Sequence, residues 1–171
     1  MKILSLLRHA DASPATRHQP DRDRPLSARG RATCQALATS LASSGAGPDL
    51  VLCSTAERAR RTLEGLRSAL APRRVVHADA LYLASDDALL EQLWTLGDAV
   101  RRVLLIGHNP GLELLAARLT GGGDEHARQR AASGLAPAAL AELHFDVEDW
   151  SALRDRSGRL VRFLTPDPLS G

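Results

Sequence analysis

MKILSLLRHADAS (Met1–Ser13) runs from an apolar segment, Ile3–Leu7, straight into Arg8-His9. A short apolar run of this kind reads as a strand buried on both faces, the hallmark of a parallel sheet. The same pattern recurs at Leu50–Cys53, Val75–His77 and Val103–Ile106. Amphipathic stretches lie between these runs. Ser27 is placed to cap a helix whose stripe is Cys34, Leu37, Ala38 and Leu41. Ser54 followed by Glu57 has capping-box spacing, ahead of Ala59, Leu63 and Leu66. Asp86 is expected to cap a helix with Leu89, Leu93 and Leu96. Asn109-Pro110 opens a fourth, with Leu112, Leu115, Ala116 and Leu119, since proline suits the first helical turn. Strand-helix alternation predicts an α/β fold: a three-layer α/β/α sandwich around a mostly parallel central sheet. Ala139–Phe145 and Leu160–Leu164 are extended and predict a hairpin or strands near the sheet edge. Thr120–Gly134 shows no clear period and reads as a surface loop. Its Gly121–Gly123 run lacks the lysine and spacing of a phosphate-binding loop.

The 171 residues fit one domain, 1–171, with no repeat or composition shift. The formal charge is +2, and aromatic residues make up 3% of the chain. Neither a basic footprint nor a base-stacking platform is present, so nucleic acid is not an expected partner. No apolar run approaches a membrane span, and the first strand starts at once after Lys2. These features lead to the expectation of a cytoplasmic protein without membrane attachment. Cys34 and Cys53 form no metal or redox motif, and Cys53 reads as a small core residue. A monomer is compatible with all of this.

Three of the predicted strands end on polar residues. The first ends in Arg8-His9, the second in Ser54 with Arg58 close behind, and the fourth in Gly107-His108-Asn109-Pro110. In an open α/β sheet the carboxyl ends of parallel strands share one edge, where ligands bind. Two histidines and two arginines therefore converge. Guanidiniums present forked donors to phosphate oxygens, and the start of the helix after Ser54 adds a positive dipole end. A neutral imidazole can attack phosphorus, and neighbouring arginines keep it neutral. A second imidazole can donate to the phosphoryl oxygens.

LRHADA, DRPLSARG (Asp23–Gly30), STAERARRT (Ser54–Thr62) and LIGHNP (Leu105–Pro110) together resemble the histidine phosphatase superfamily, the phosphoglycerate-mutase-like group. The ending FLTPDPL (Phe163–Leu169) and the short length are most similar to its SixA-type phosphohistidine phosphatases. The resemblance implies a phosphoglycerate-mutase-like fold and a hydrolase with no metal and no other cofactor. It implies His9 as the nucleophile that becomes phosphorylated, with Arg8, Arg58 and His108 gripping the phosphoryl group. Arg24 is the further candidate for substrate contact, whereas Ser27 is assigned to helix capping. The implied partner is a phosphohistidine-containing protein, with a small phosphorylated substrate as the alternative.

The chain also departs from the family. Many members carry a glutamate general acid after the third strand, yet ADALYLASDD (Ala78–Asp87) has none. Asp79 and Asp86 are the first candidates for a hidden acid there. Thr55 stands where a proline is common, and Arg61 where a glutamine is usual. A metal hydrolase using His9, His108 and Asp11 is a competing expectation, opposed by two arginines that would repel a cation. A phosphoprotein-binding module is another, opposed by the retained pair of histidines.

Overall fold

The computed structural model describes residues 1–42 and 47–165. Seven strands form one sheet: β1 (Lys2–Arg8), β2 (Leu50–Ser54), β3 (Arg74–Ala78), β4 (Arg102–Gly107), β5 (Thr120–Gly123), β6 (Leu140–Phe145) and β7 (Gly158–Leu164). Their order across the sheet is β3-β2-β4-β1-β6-β7-β5. The first four strands run parallel to one another. β6 pairs antiparallel with β1, and β7 antiparallel with β6. The predicted hairpin of β6 and β7 therefore forms, but β6 sits inside the sheet rather than at its edge. Residues 166–169 of the FLTPDPL segment lie outside the described residues.

Among the described residues five α-helices cover the two faces: α1 (Ala28–Ala42), α2 (Glu57–Leu70), α3 (Asp86–Trp94), α4 (Gly111–Leu119) and α5 (Glu125–Ala131). Strand residues alternate between two cores. Val51, Cys53, Leu104 and Ile106 pack with Cys34, Leu37, Leu63 and Leu66 of α1 and α2. Leu50, Leu52, Val103 and Leu105 pack with Leu89, Leu93, Leu112, Leu115 and Ala127 on the opposite face. This two-residue alternation between covered faces makes the predicted three-layer sandwich. β3 departs from the expectation of burial on both faces: it is an edge strand, with Arg74 and His77 exposed.

Local corrections have physical causes. Ser54 does not cap α2; it ends β2, and Ala56 precedes the helix without a side-chain cap bond. Ser85, not Asp86, caps α3, accepting from the Ala88 amide at 3.2 Å. That helix stops at Trp94, leaving Leu96 beyond it. Pro110 stands at the N-cap of α4, one place before its first turn. Ser27 does cap α1, accepting from the Gly30 amide at 3.0 Å.

The expected loop at Thr120–Gly134 is replaced by β5 and α5. β5 pairs parallel with β7 at the sheet edge. Glycine permits that close approach: Gly123 has φ +131°, and a Cβ there would lie 2.1 Å from the Leu160 carbonyl oxygen. Asp124 then caps α5, accepting from the Ala127 amide at 2.8 Å. A glycine-rich strand and a two-turn helix carry too little apolar periodicity to be seen in sequence.

Candidate active site

β1 and β4 are adjacent and in register, with Arg8 opposite Gly107. The residues that follow, His9 and His108, therefore emerge side by side, their ring centroids 5.1 Å apart. β2 lies on the far side of β4, with Cys53 opposite Ile106. This places Ser54 and the first turn of α2 next to His108. Arg8, His9, Arg24, Arg58 and His108 line one pocket of about 390 Å³, so all five predicted site residues are brought together.

The Nδ1 of His9 lies 2.8 Å from the carbonyl oxygen of Ala10. A carbonyl only accepts, so Nδ1 carries the proton and Nε2 presents a lone pair. Arg58 Nε donates to that Nε2 at 3.1 Å. Burial pushes the pKa of His9 down to about 4; the charges of Arg58, Arg8 and Arg24 act in the same direction, while the Ala10 carbonyl opposes them. At neutral pH the ring is an uncharged nucleophile. Its position is further set by Thr62, whose buried hydroxyl accepts from the Ala10 amide at 3.0 Å and donates to the Arg58 carbonyl at 2.7 Å.

His108 is buried, and its Nε2 lies 2.8 Å from Ser54 Oγ. The Ala56 amide donates to the same hydroxyl at 3.3 Å. His108 Nδ1 lies 3.5 Å from Arg58 Nη2, which can only donate, so Nδ1 accepts and Nε2 carries the proton and donates to Ser54 Oγ. Burial first, then the neighbouring His9, Arg58 and Arg8, lower the pKa of His108 to about 3; Asp21 works the other way. The ring is thus neutral, with its one N–H directed at Ser54. Arg8 donates through Nη1 to the Leu135 carbonyl at 2.9 Å. Its Nε is buried with no hydrogen-bond partner among the described residues.

Asp21 is a site residue that the sequence did not single out. Its carbonyl accepts from Arg58 Nη1 at 2.7 Å and its carboxylate from Arg58 Nη2 at 2.9 Å. The same carboxylate accepts from the Tyr82 hydroxyl at 2.7 Å and from Arg24 at 3.0 Å. The Tyr82 hydroxyl, then Arg24 and Arg58, hold Asp21 well below the usual carboxylate range. The alternation Asp21-Arg22-Asp23-Arg24 was its one visible signal. Leu83 and Pro137 also line the pocket, from loops without sequence periodicity. Arg24 sits at the rim, where it also donates through Nε to the Ser13 carbonyl at 3.0 Å.

The carboxylates suggested as hidden acids are engaged elsewhere. Asp86 and Asp87 both accept from Arg118, at 3.2 and 2.6 Å. Asp79 takes the Thr55 hydroxyl at 2.5 Å and pairs with Arg22 at 3.1 Å. Of the carboxylates in the pocket, Asp21 is firmly ionised, and Asp11 accepts from the Ser27 hydroxyl at 2.6 Å. Among the described residues the pocket brings together an unprotonated imidazole nitrogen, guanidinium groups and an Asp21 carboxylate held in its ionised form.

Residues 4–82 match the family model of the histidine phosphatase superfamily (branch 1). An uncharacterized protein of Mycobacterium leprae is 32% identical over 152 residues, which span 87% of this chain and 91% of that one. A solved structure from Agrobacterium tumefaciens, a candidate SixA phosphohistidine phosphatase, is 32% identical with a TM-score of 0.79. The match covers 96% of this chain and 98% of that chain. Its counterpart from Nakamurella multipartitia superposes with a TM-score of 0.82 at 26% identity, covering 96% of each chain.

Proposed function

The chain belongs to the histidine phosphatase superfamily and is a phosphate-ester hydrolase of SixA type; from that premise we propose that it removes phosphate from phosphohistidine on a protein, through a phosphorylated His9. The observation that carries this reading is the unprotonated Nε2 of His9, which accepts from the guanidinium of Arg58 and lies beside the imidazole of His108. In the proposed reaction Nε2 attacks phosphorus and the phosphorus–nitrogen bond of the substrate breaks. Arg8, Arg58 and His108 hold the equatorial oxygens. Water then attacks the phosphorus on His9, releasing phosphate and restoring the free imidazole. Arg24 meets the substrate at the rim. The proposed location is the cytoplasm; among the described residues no helix is long and apolar enough to cross a membrane.

The substrate class follows from the leaving group. An alkoxide leaves poorly and benefits from a proton donated in the transition state. An imidazole, whose conjugate acid has a pKa of about 6.5, leaves readily once its other nitrogen is protonated. A pocket whose Asp21 stays ionised, with Asp79 and Asp86 tied to arginines, suits the second group. The test is a rate series over a phosphohistidine protein, aryl phosphates and alkyl phosphates. Rates are expected to fall steeply as leaving-group pKa rises. A flat series, or a preference for alkyl esters, would favour a small-ester phosphatase and make Asp11 the acid to mutate.

A further inference from the structure

Glu113, in the first turn of α4, has no part in the mechanism above. Its Oε2 accepts from Asn109 Nδ2 and from the Leu135 amide, both at 2.9 Å. Asn109 Nδ2 also donates to the Leu135 carbonyl at 3.0 Å. That carbonyl is the one that receives Arg8 Nη1 at 2.9 Å. Gly134 makes room for the arrangement: its φ is +88°, and a Cβ there would come within 2.8 Å of Glu113 Oε2. One carboxylate oxygen therefore joins the start of α4, just past His108, to the segment that holds Arg8.

We propose that Glu113 is a positioning residue, clamping Leu135 so that its carbonyl fixes the Arg8 guanidinium beside His9. The proposal rests on Arg8 acting as a phosphoryl-group donor. Arginine is a long, rotamer-rich side chain whose advantage at an anion is a pre-organised planar fork. β1 fixes its backbone, but the Leu135 carbonyl aims its head group. If that carbonyl drifts, the Arg8 guanidinium loses its fixed place at the pocket. A displacement of about 1 Å in a reacting site is enough to lose about 100-fold in rate. The clamp needs an acceptor at the right reach rather than a charge. The amide oxygen of Glu113→Gln supplies one, whereas Glu113→Asp falls short by a methylene.

A double-mutant cycle between Glu113 and Arg8 tests this. The readouts are kcat/KM on p-nitrophenyl phosphate and inhibition by vanadate, with melting temperature as the folding control. Glu113→Ala and Glu113→Asp are expected to weaken both readouts by about 10- to 100-fold. Glu113→Gln should stay within about threefold of the parent protein, a difference below that of one lost hydrogen bond. In an Arg8→Ala background, Glu113→Ala should add less than about threefold. Full additivity, a Glu113→Gln loss equal to that of Glu113→Ala, or an unaffected Glu113→Ala beside a crippled Arg8→Ala overturns the clamp alone. If Arg8→Ala itself leaves vanadate binding unchanged, the assignment of Arg8 fails and the clamp fails with it.

Discussion

His108 shows how much a single contact decides at the residue scale. Its ring nitrogens face opposite ways: Nδ1 towards the pocket and Nε2 onto Ser54 Oγ at 2.8 Å. On the proposed mechanism, Ser54 anchors Nε2 and so fixes the orientation of the ring beside the phosphoryl group. His108→Ala, which removes the ring from the phosphoryl site, should lower kcat by about 10²–10³. Ser54→Ala keeps the ring but frees it to rotate or change tautomer. It should cost about 10-fold, equivalent to about 1.4 kcal/mol of transition-state stabilisation. Steady-state kinetics of both variants on one aryl phosphate is the check. Ser54→Ala with unchanged kcat would mean that the hydroxyl only packs against the ring. Ser54 was misread from sequence because its three-residue spacing to Glu57 imitates a cap. Tertiary structure gives the hydroxyl a different use, and Glu57 instead pairs with Arg61 at 2.7 Å.

At the scale of elements, the joint between β1 and α2 matters most. Thr62 is fully buried and bridges the Ala10 amide to the Arg58 carbonyl. Thr62→Val keeps shape and removes the acceptor, leaving a buried N–H unpaired at a cost of about 1–3 kcal/mol. Urea unfolding should register that loss, and turnover should fall with it, because His9 and Arg58 meet across this joint. A variant as stable and active as the parent would show that the joint is held by packing alone. The four parallel strands were legible because each is a short apolar run, and the site because three of those runs lead directly into His9, into Ser54 with Arg58 close behind, and into His108. β5 and α5 were not, because a strand of one threonine and three glycines has no side-chain pattern and is stabilised by its pairing with β7. Asp21 and Leu83 were hidden for a related reason: loops bring them to the pocket, and loop geometry has no period.

Across the whole molecule, the buried imidazole of His108 and the half-buried one of His9 tie stability to pH. The pKa values of His9 and His108 lie at about 4 and about 3, against an ordinary 6.5. As pH drops below 6.5 the unfolded chain takes up these protons first. The corresponding stability is complete above pH 6.5 and is lost progressively towards pH 4 and below. Melting temperature should therefore fall between pH 6.5 and 4.5, and less steeply in His9→Asn; a flat profile in the parent would place these rings in a more polar setting. The sandwich, the convergence of strand ends and the neutral rings all bear on one claim, that His9 becomes phosphorylated during turnover. The direct measurement is rapid mixing with a protein carrying radiolabelled phosphohistidine, followed by alkaline quench and mapping of the label. The account predicts transient, acid-labile label on His9, absent in His9→Ala together with turnover. Label on another residue, or full activity in His9→Ala, would contradict it.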